Sequence, residues 1–91
     1  MSAMALEDDF VTAQARVKTL RSTPSPDELL ELYALYKQAT AGDVQGDRPG
    51  MLDFKGRAKY DAWASRRGTS KPDAMTAYNA VVVRLADKYG S

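Results

Sequence analysis

The chain has 91 residues, 44% of them hydrophobic and 27% charged, enough for one small core and no more. It contains no cysteine and no histidine, so a disulfide framework, a thiolate or imidazole metal site, a cysteine nucleophile and a Ser–His triad are excluded. Thirteen basic residues against twelve acidic ones leave a net charge of +1. Bulk charge therefore does not draw the chain to nucleic acid or an anionic membrane, and anion recognition has to come from where individual lysines sit.

The first nine residues lack the basic end and apolar stretch of a signal peptide, and no apolar run approaches the ~18–20 residues of a membrane span. A cytoplasmic chain without stable membrane insertion is the expectation. Residues 1–5 read as a flexible N-terminal extension and residues 6–90 as a single domain. Leu6, Phe10, Ala13, Val17 and Leu20 then recur every three or four residues, the stripe of a first helix. Arg21-Ser22-Thr23-Pro24 breaks it.

Ser25-Pro26-Asp27-Glu28 opens a second helix with a serine N-cap, a proline at the first helical position and a glutamate that completes a capping box. The apolar positions continue to about Thr40-Ala41, where Gly42 suits the C-terminal cap. Residues 42–50 are turn chemistry throughout and long for a bundle connection. That length lets the next helix run parallel to the second, whereas the short break at 21–24 favours an antiparallel neighbour.

A third helix is expected from about Lys55 to Arg67, with Ala58, Ala62 and Trp63 turned inward and Gly68 ending it. Ser70 and Asp73 cap a fourth, whose stripe is Met75, Tyr78, Val82, Leu85 and Tyr89, closed by Gly90. No hairpin signal and no internal repeat occurs, so the fold class is all-α, with four helices.

Tyr33, Tyr36 and Lys37 share one face of the second helix, joining two phenols and an ammonium. Phenols offer stacking area and lysine a point charge for phosphate, but from this helix alone the simpler account is part-buried core tyrosines. Lys55 and Lys59 share a face of the third helix, which on its own is a solvated basic face. It gains meaning only if it opposes Tyr33 and Lys37 across a groove. Tyr78 fits the core and the wall of such a groove equally well, and Lys18 reads as a surface charge. The glycines of residues 42–50 lack the spacing of a phosphate-binding loop, and no group of residues builds a catalytic or metal site. The chain is poorly equipped as an enzyme.

Tyr33-Ala34-Leu35-Tyr36-Lys37-Gln38-Ala39-Thr40, followed by Arg48-Pro49-Gly50-Met51-Leu52-Asp53-Phe54-Lys55-Gly56-Arg57-Ala58-Lys59, closely resembles the acyl-CoA-binding protein family. Gly68-Thr69-Ser70, Asp73-Ala74-Met75 and Tyr78 extend the resemblance, which spans about Leu6 to Gly90. It implies an up-down-down-up four-helix bundle that binds and transports medium- to long-chain fatty acyl-CoA thioesters, without catalysis and with no cofactor beyond coenzyme A as part of the ligand. It further implies that the residue matching Tyr33 contacts the nucleotide end of coenzyme A, and that those matching Lys37 and Lys59 bind its 3′-phosphate. Tyr36 would contribute to the adenine site, with Lys18, Lys55 and Tyr78 completing the ligand surface. Tyr60 stands where many relatives carry tryptophan and Gln14 where a small residue is common. The expected partners are fatty acyl-CoA esters and the enzymes that make or use them, not nucleic acid, and the expected state is a monomer. The competing reading is a helical protein-interaction module without a lipid ligand.

Overall fold

The computed structural model describes residues 3–90, which form four helices: α1 (Ala3–Val17), α2 (Pro26–Thr40), α3 (Phe54–Ala64) and α4 (Lys71–Tyr89). No strand occurs among the described residues. The caps read from the sequence form. Ser25 Oγ accepts from the Glu28 amide at 3.2 Å while the Ser25 amide donates to Glu28 Oε1 at 2.8 Å, and Ser70 Oγ accepts from the Asp73 amide at 3.1 Å.

Three boundaries differ from expectation. α1 begins at Ala3, so residues 3–5 belong to the helix, while Met1 and Ser2 of the expected extension lie outside the described residues. α1 ends at Val17 rather than Leu20, because the Lys18 and Thr19 amides turn back to the Ala15 and Arg16 carbonyls, three residues away. Likewise α3 stops at Ala64 rather than Arg67. The amides of Arg66, Arg67 and Thr69 all bond three residues back, tightening the chain ahead of Gly68 at φ +91°.

The cross-links between helices fix their directions. The Arg21 amide bonds to the Gly90 carbonyl at 3.0 Å, so α1 and α4 end together and run parallel. Glu28 at the start of α2 meets Lys88 and Tyr89 at the end of α4, and Gln38 near the end of α2 donates to the Thr69 carbonyl just before α4. α2 and α4 are therefore antiparallel. Lys59 lies over Tyr33 and Lys37 over Trp63, which sets α3 parallel to α2 in a constant register. The order is up-down-down-up, as both the connection lengths and the resemblance imply.

One core joins three of the helices. Phe10 and Ala13 of α1, Leu32 and Leu35 of α2, and Tyr78, Val82 and Leu85 of α4 are buried in a single cluster, with Tyr78 edge-on to Phe10 at a centroid distance of 5.0 Å. α1 and α2 each pack on α4 rather than along one another. α3 buries no side chain fully and packs on α2.

The long connection into α3 is held down at several points. Trp63 Nε1 donates to the Gly42 carbonyl at 2.8 Å and Tyr60 Oη to the Gly46 carbonyl at 2.9 Å. Arg48 grips Asp61 through two bonds of 2.9 and 2.7 Å. Asp53 then caps α3 by accepting from the Gly56 amide at 2.9 Å. A Cβ at position 56 would stand 2.2 Å from the Asp53 carboxylate, so only glycine lets the cap close this tightly.

Candidate functional site

Because α1 and α2 are both anchored to α4 and splay apart, a cavity of about 400 Å³ opens between them. Gln14 and Val17 of α1 and Lys18 in the turn that follows form one wall, Leu29, Leu32, Tyr33 and Tyr36 of α2 the other, and the buried Tyr78 of α4 completes the lining. Burial pushes the Tyr78 phenol above its ordinary pKa, and the neighbouring Tyr36 adds to the effect. It stays neutral in the physiological range and offers a ring and a hydroxyl, not a charge.

On the other side of the α2 ridge a second hollow, about 310 Å³, runs between the first turns of α2 and α3. Pro26, Leu29, Leu30 and Ala58 make it apolar, and Lys55 and Lys59 stand at its edge. Leu29 and Tyr33 line both hollows, so a ligand that bends over this ridge touches the two together. Met51, Leu52 and Phe54, all largely exposed, precede and open α3 at this end of the molecule.

The seven candidate residues therefore divide. Lys18, Tyr33, Tyr36 and Tyr78 meet at the first cavity, and Lys55 and Lys59 join Tyr33 at the second. Lys37 lines neither. It sits one turn beyond Tyr33, half-buried, with its ammonium 4.8 Å from the centre of the Trp63 ring. The Lys59 ammonium lies 5.4 Å from the centre of the Tyr33 ring. Both lysines thus project along the seam between α2 and α3. Tyr78 is core and cavity wall at once, only 5% exposed, which resolves the two readings left open for it.

Sequence reasoning passed over Leu29, Leu30, Pro26 and Ala58, the apolar lining of the second hollow. A signal was present. α2 carries more large apolar residues than one core-facing stripe needs, and Leu29 lies four positions before Tyr33 on the same face. Of the two departures from the resemblance, Gln14 lines the first cavity and donates back to the Phe10 carbonyl at 3.3 Å, while Tyr60 ties down the connection at Gly46. Among the described residues no group of three or more carboxylates could hold a metal ion, and no helix is long and apolar enough to cross a membrane.

An arrangement of this kind can hold a molecule that is anionic and aromatic at one end and hydrocarbon at the other. Residues 7–82 match the family model described as acyl CoA binding protein. The chain is 55% identical over 82 residues to acyl-CoA-binding protein homolog 1 of Caenorhabditis elegans, a match spanning 90% of this chain and 95% of that protein. It is 51% identical over 88 residues to the acyl-CoA-binding protein homolog of Manduca sexta, spanning 96% and 98%. The crystal structure of Oryza sativa acyl-CoA-binding protein 2 superposes with a TM-score of 0.92 at 40% identity, spanning 98% of this chain and 97% of that one.

Proposed function

The chain belongs to the acyl-CoA-binding protein family, and from that premise we propose that it binds medium- to long-chain fatty acyl-CoA thioesters and carries or buffers them in the cytoplasm, as a monomer and without turning them over. The single observation that supports this reading is the ridge of α2. Tyr33 and Leu29 stand there between a cavity walled by tyrosines and an apolar trough edged by lysines. A lipid thioester has the same two-part chemistry.

In this reading the nucleotide enters the cavity between α1 and α2, where Tyr33, Tyr36 and Tyr78 supply ring faces and hydroxyls and Lys18 supplies charge. Lys37 and Lys59 take the 3′-phosphate at the α2–α3 seam. The acyl chain crosses the ridge into the trough between α2 and α3, where Lys55 stays at the rim. Burying the chain gives affinity, at most about 0.8 kcal/mol per methylene, and the lysines and tyrosines decide what the chain is attached to. The residues at these positions are ammonium, phenol and alkyl groups, with no nucleophile beside a base. The thioester is held and released intact, available to enzymes that make or consume it.

Titration calorimetry of a long-chain acyl-CoA against Lys37→Ala and Lys59→Ala tests the assignment. Each substitution removes a charge-assisted contact and should raise Kd about tenfold or more, with a shallower dependence on salt than the parent chain. Unchanged affinity in both variants would refute the headgroup assignment.

A further inference from the structure

Two cations and two rings are exchanged across the seam between α2 and α3. Lys37 of α2 lies over Trp63 of α3 at 4.8 Å, and Lys59 of α3 lies over Tyr33 of α2 at 5.4 Å. Elsewhere on the surface, Arg48, Arg66, Arg84 and Lys88 are each paired with a carboxylate. Lys37 and Lys59 take part in no ion pair among the described residues.

The choice of seat matters. A carboxylate under a lysine would neutralise it and compete with any incoming phosphate. An aromatic face holds the ammonium through the ring quadrupole, a modest bias of roughly two- to fivefold in an equilibrium constant at an exposed site, and carries no formal charge. The ammonium is then held in place with its full charge still available. The Trp63 ring is itself held, because Nε1 donates to the Gly42 carbonyl at 2.8 Å.

We infer that Trp63 is a positioning residue for the phosphate site: it keeps the Lys37 ammonium on the α2–α3 seam, uncompensated and aimed for an anion. The inference rests on the headgroup reading above, in which Lys37 meets the 3′-phosphate. Trp63 acts through Lys37 and need not touch the ligand.

The test compares one acyl-CoA with its 3′-dephospho analogue by calorimetry, on the parent chain, Trp63→Phe and Trp63→Leu. Phenylalanine keeps a ring under Lys37 while losing the indole N–H, and leucine loses both. Trp63→Phe, which keeps a weaker and untethered ring, should show a preference for the 3′-phosphate between those of the parent chain and Trp63→Leu. In Trp63→Leu that preference should fall by roughly two- to fivefold, while affinity for the dephospho analogue stays the same. Equal losses for both ligands, or an undiminished preference in Trp63→Leu, would overturn the positioning role.

A measurement on the folded parent chain covers the case in which Trp63→Leu does not fold. Trp63 is the one tryptophan of the sequence, so its emission reports on that ring. Adenosine 3′,5′-bisphosphate should change the emission, adenosine 5′-monophosphate should not, and Lys37→Met should abolish the response. Emission indifferent to the bisphosphate overturns the inference. A parent chain that does not distinguish the two thioesters overturns the headgroup reading itself, a different failure from an unaltered Trp63→Leu.

Discussion

Glu28 serves three partners at once. Its carboxylate accepts from the Ser25 amide, from the Lys88 ammonium at 3.0 Å and from the Tyr89 hydroxyl, so one side chain closes the start of α2 and fastens it to the end of α4. The Tyr89 hydroxyl bond, then the Ser25 amide and the Lys88 contact, lower its pKa from 4.5 to about 2. A carboxyl held below its unfolded value contributes stability that is fully present above about pH 4.5 and disappears as pH falls towards 2. Asp43 and Asp61, lowered first by the Gly68 amide and by Arg48 respectively, act in the same direction. Thermal melts between pH 6 and 2 should therefore show a falling Tm, with a shallower slope in Glu28→Gln; parallel slopes would remove Glu28 from the account. The capping box was legible in Ser25-Pro26-Asp27-Glu28 because it is local. Lys88 and Tyr89 lie 60 and 61 positions away, and no spacing rule reaches that far.

Among the helices, α3 is held least firmly. It has no fully buried side chain, packs on α2, and owes its register to the two cation–ring contacts and to Trp63, Tyr60 and Asp61 gripping the preceding connection. Few buried apolar contacts mean local opening at low cost. Native-state hydrogen exchange should find the amides of residues 58–64 faster than those of the α4 core around Val82 and Leu85. A bound acyl-CoA bridging Lys37 and Lys59 should slow the α3 amides selectively, whereas uniform slowing of all four helices would indicate global stabilisation alone. Helix existence and several caps were readable at this scale, since Ser25, Ser70 and the glycines at 42 and 90 mark ends chemically, whereas the Asp53 cap of α3 was passed over. The exact ends of α1 and α3 were not readable. Their last residues continue a helical pattern in sequence, yet the backbone tightens there into three-residue turns that depend on where the chain must go next.

For the molecule as a whole, the decisive feature is that α1 and α2 do not pack along one another and meet through side chains such as Phe10 and Tyr36. With α1 and α2 both bound to α4, the first cavity is the gap their splay leaves, and with α3 laid parallel on the outer face of α2, the trough is the groove of a second packing layer. The connection lengths and the family resemblance pointed to this order. A groove between Tyr33/Lys37 and Lys55/Lys59 was anticipated, but its apolar lining was missed because it comes from residues that look like ordinary core leucines until α3 is placed beside them. Tyr33 and Leu29 are shared by both hollows, so in the proposed reading the headgroup and the tail are parts of one binding event rather than two independent sites. Affinity should accordingly rise with acyl length while each added methylene enters the trough, by up to about fourfold per methylene if burial is complete. Because the trough is open along one side, the measured increment should be smaller, and it should flatten once the chain outgrows a space of about 310 Å³. Replacing Ala58, which lines the trough and not the first cavity, by serine should reduce the increment per methylene and leave the affinity of coenzyme A itself unchanged. A calorimetric series of acyl-CoAs from short to long chain, on the parent and on Ala58→Ser, measures both quantities, and an affinity indifferent to chain length would place the tail in water instead of between α2 and α3.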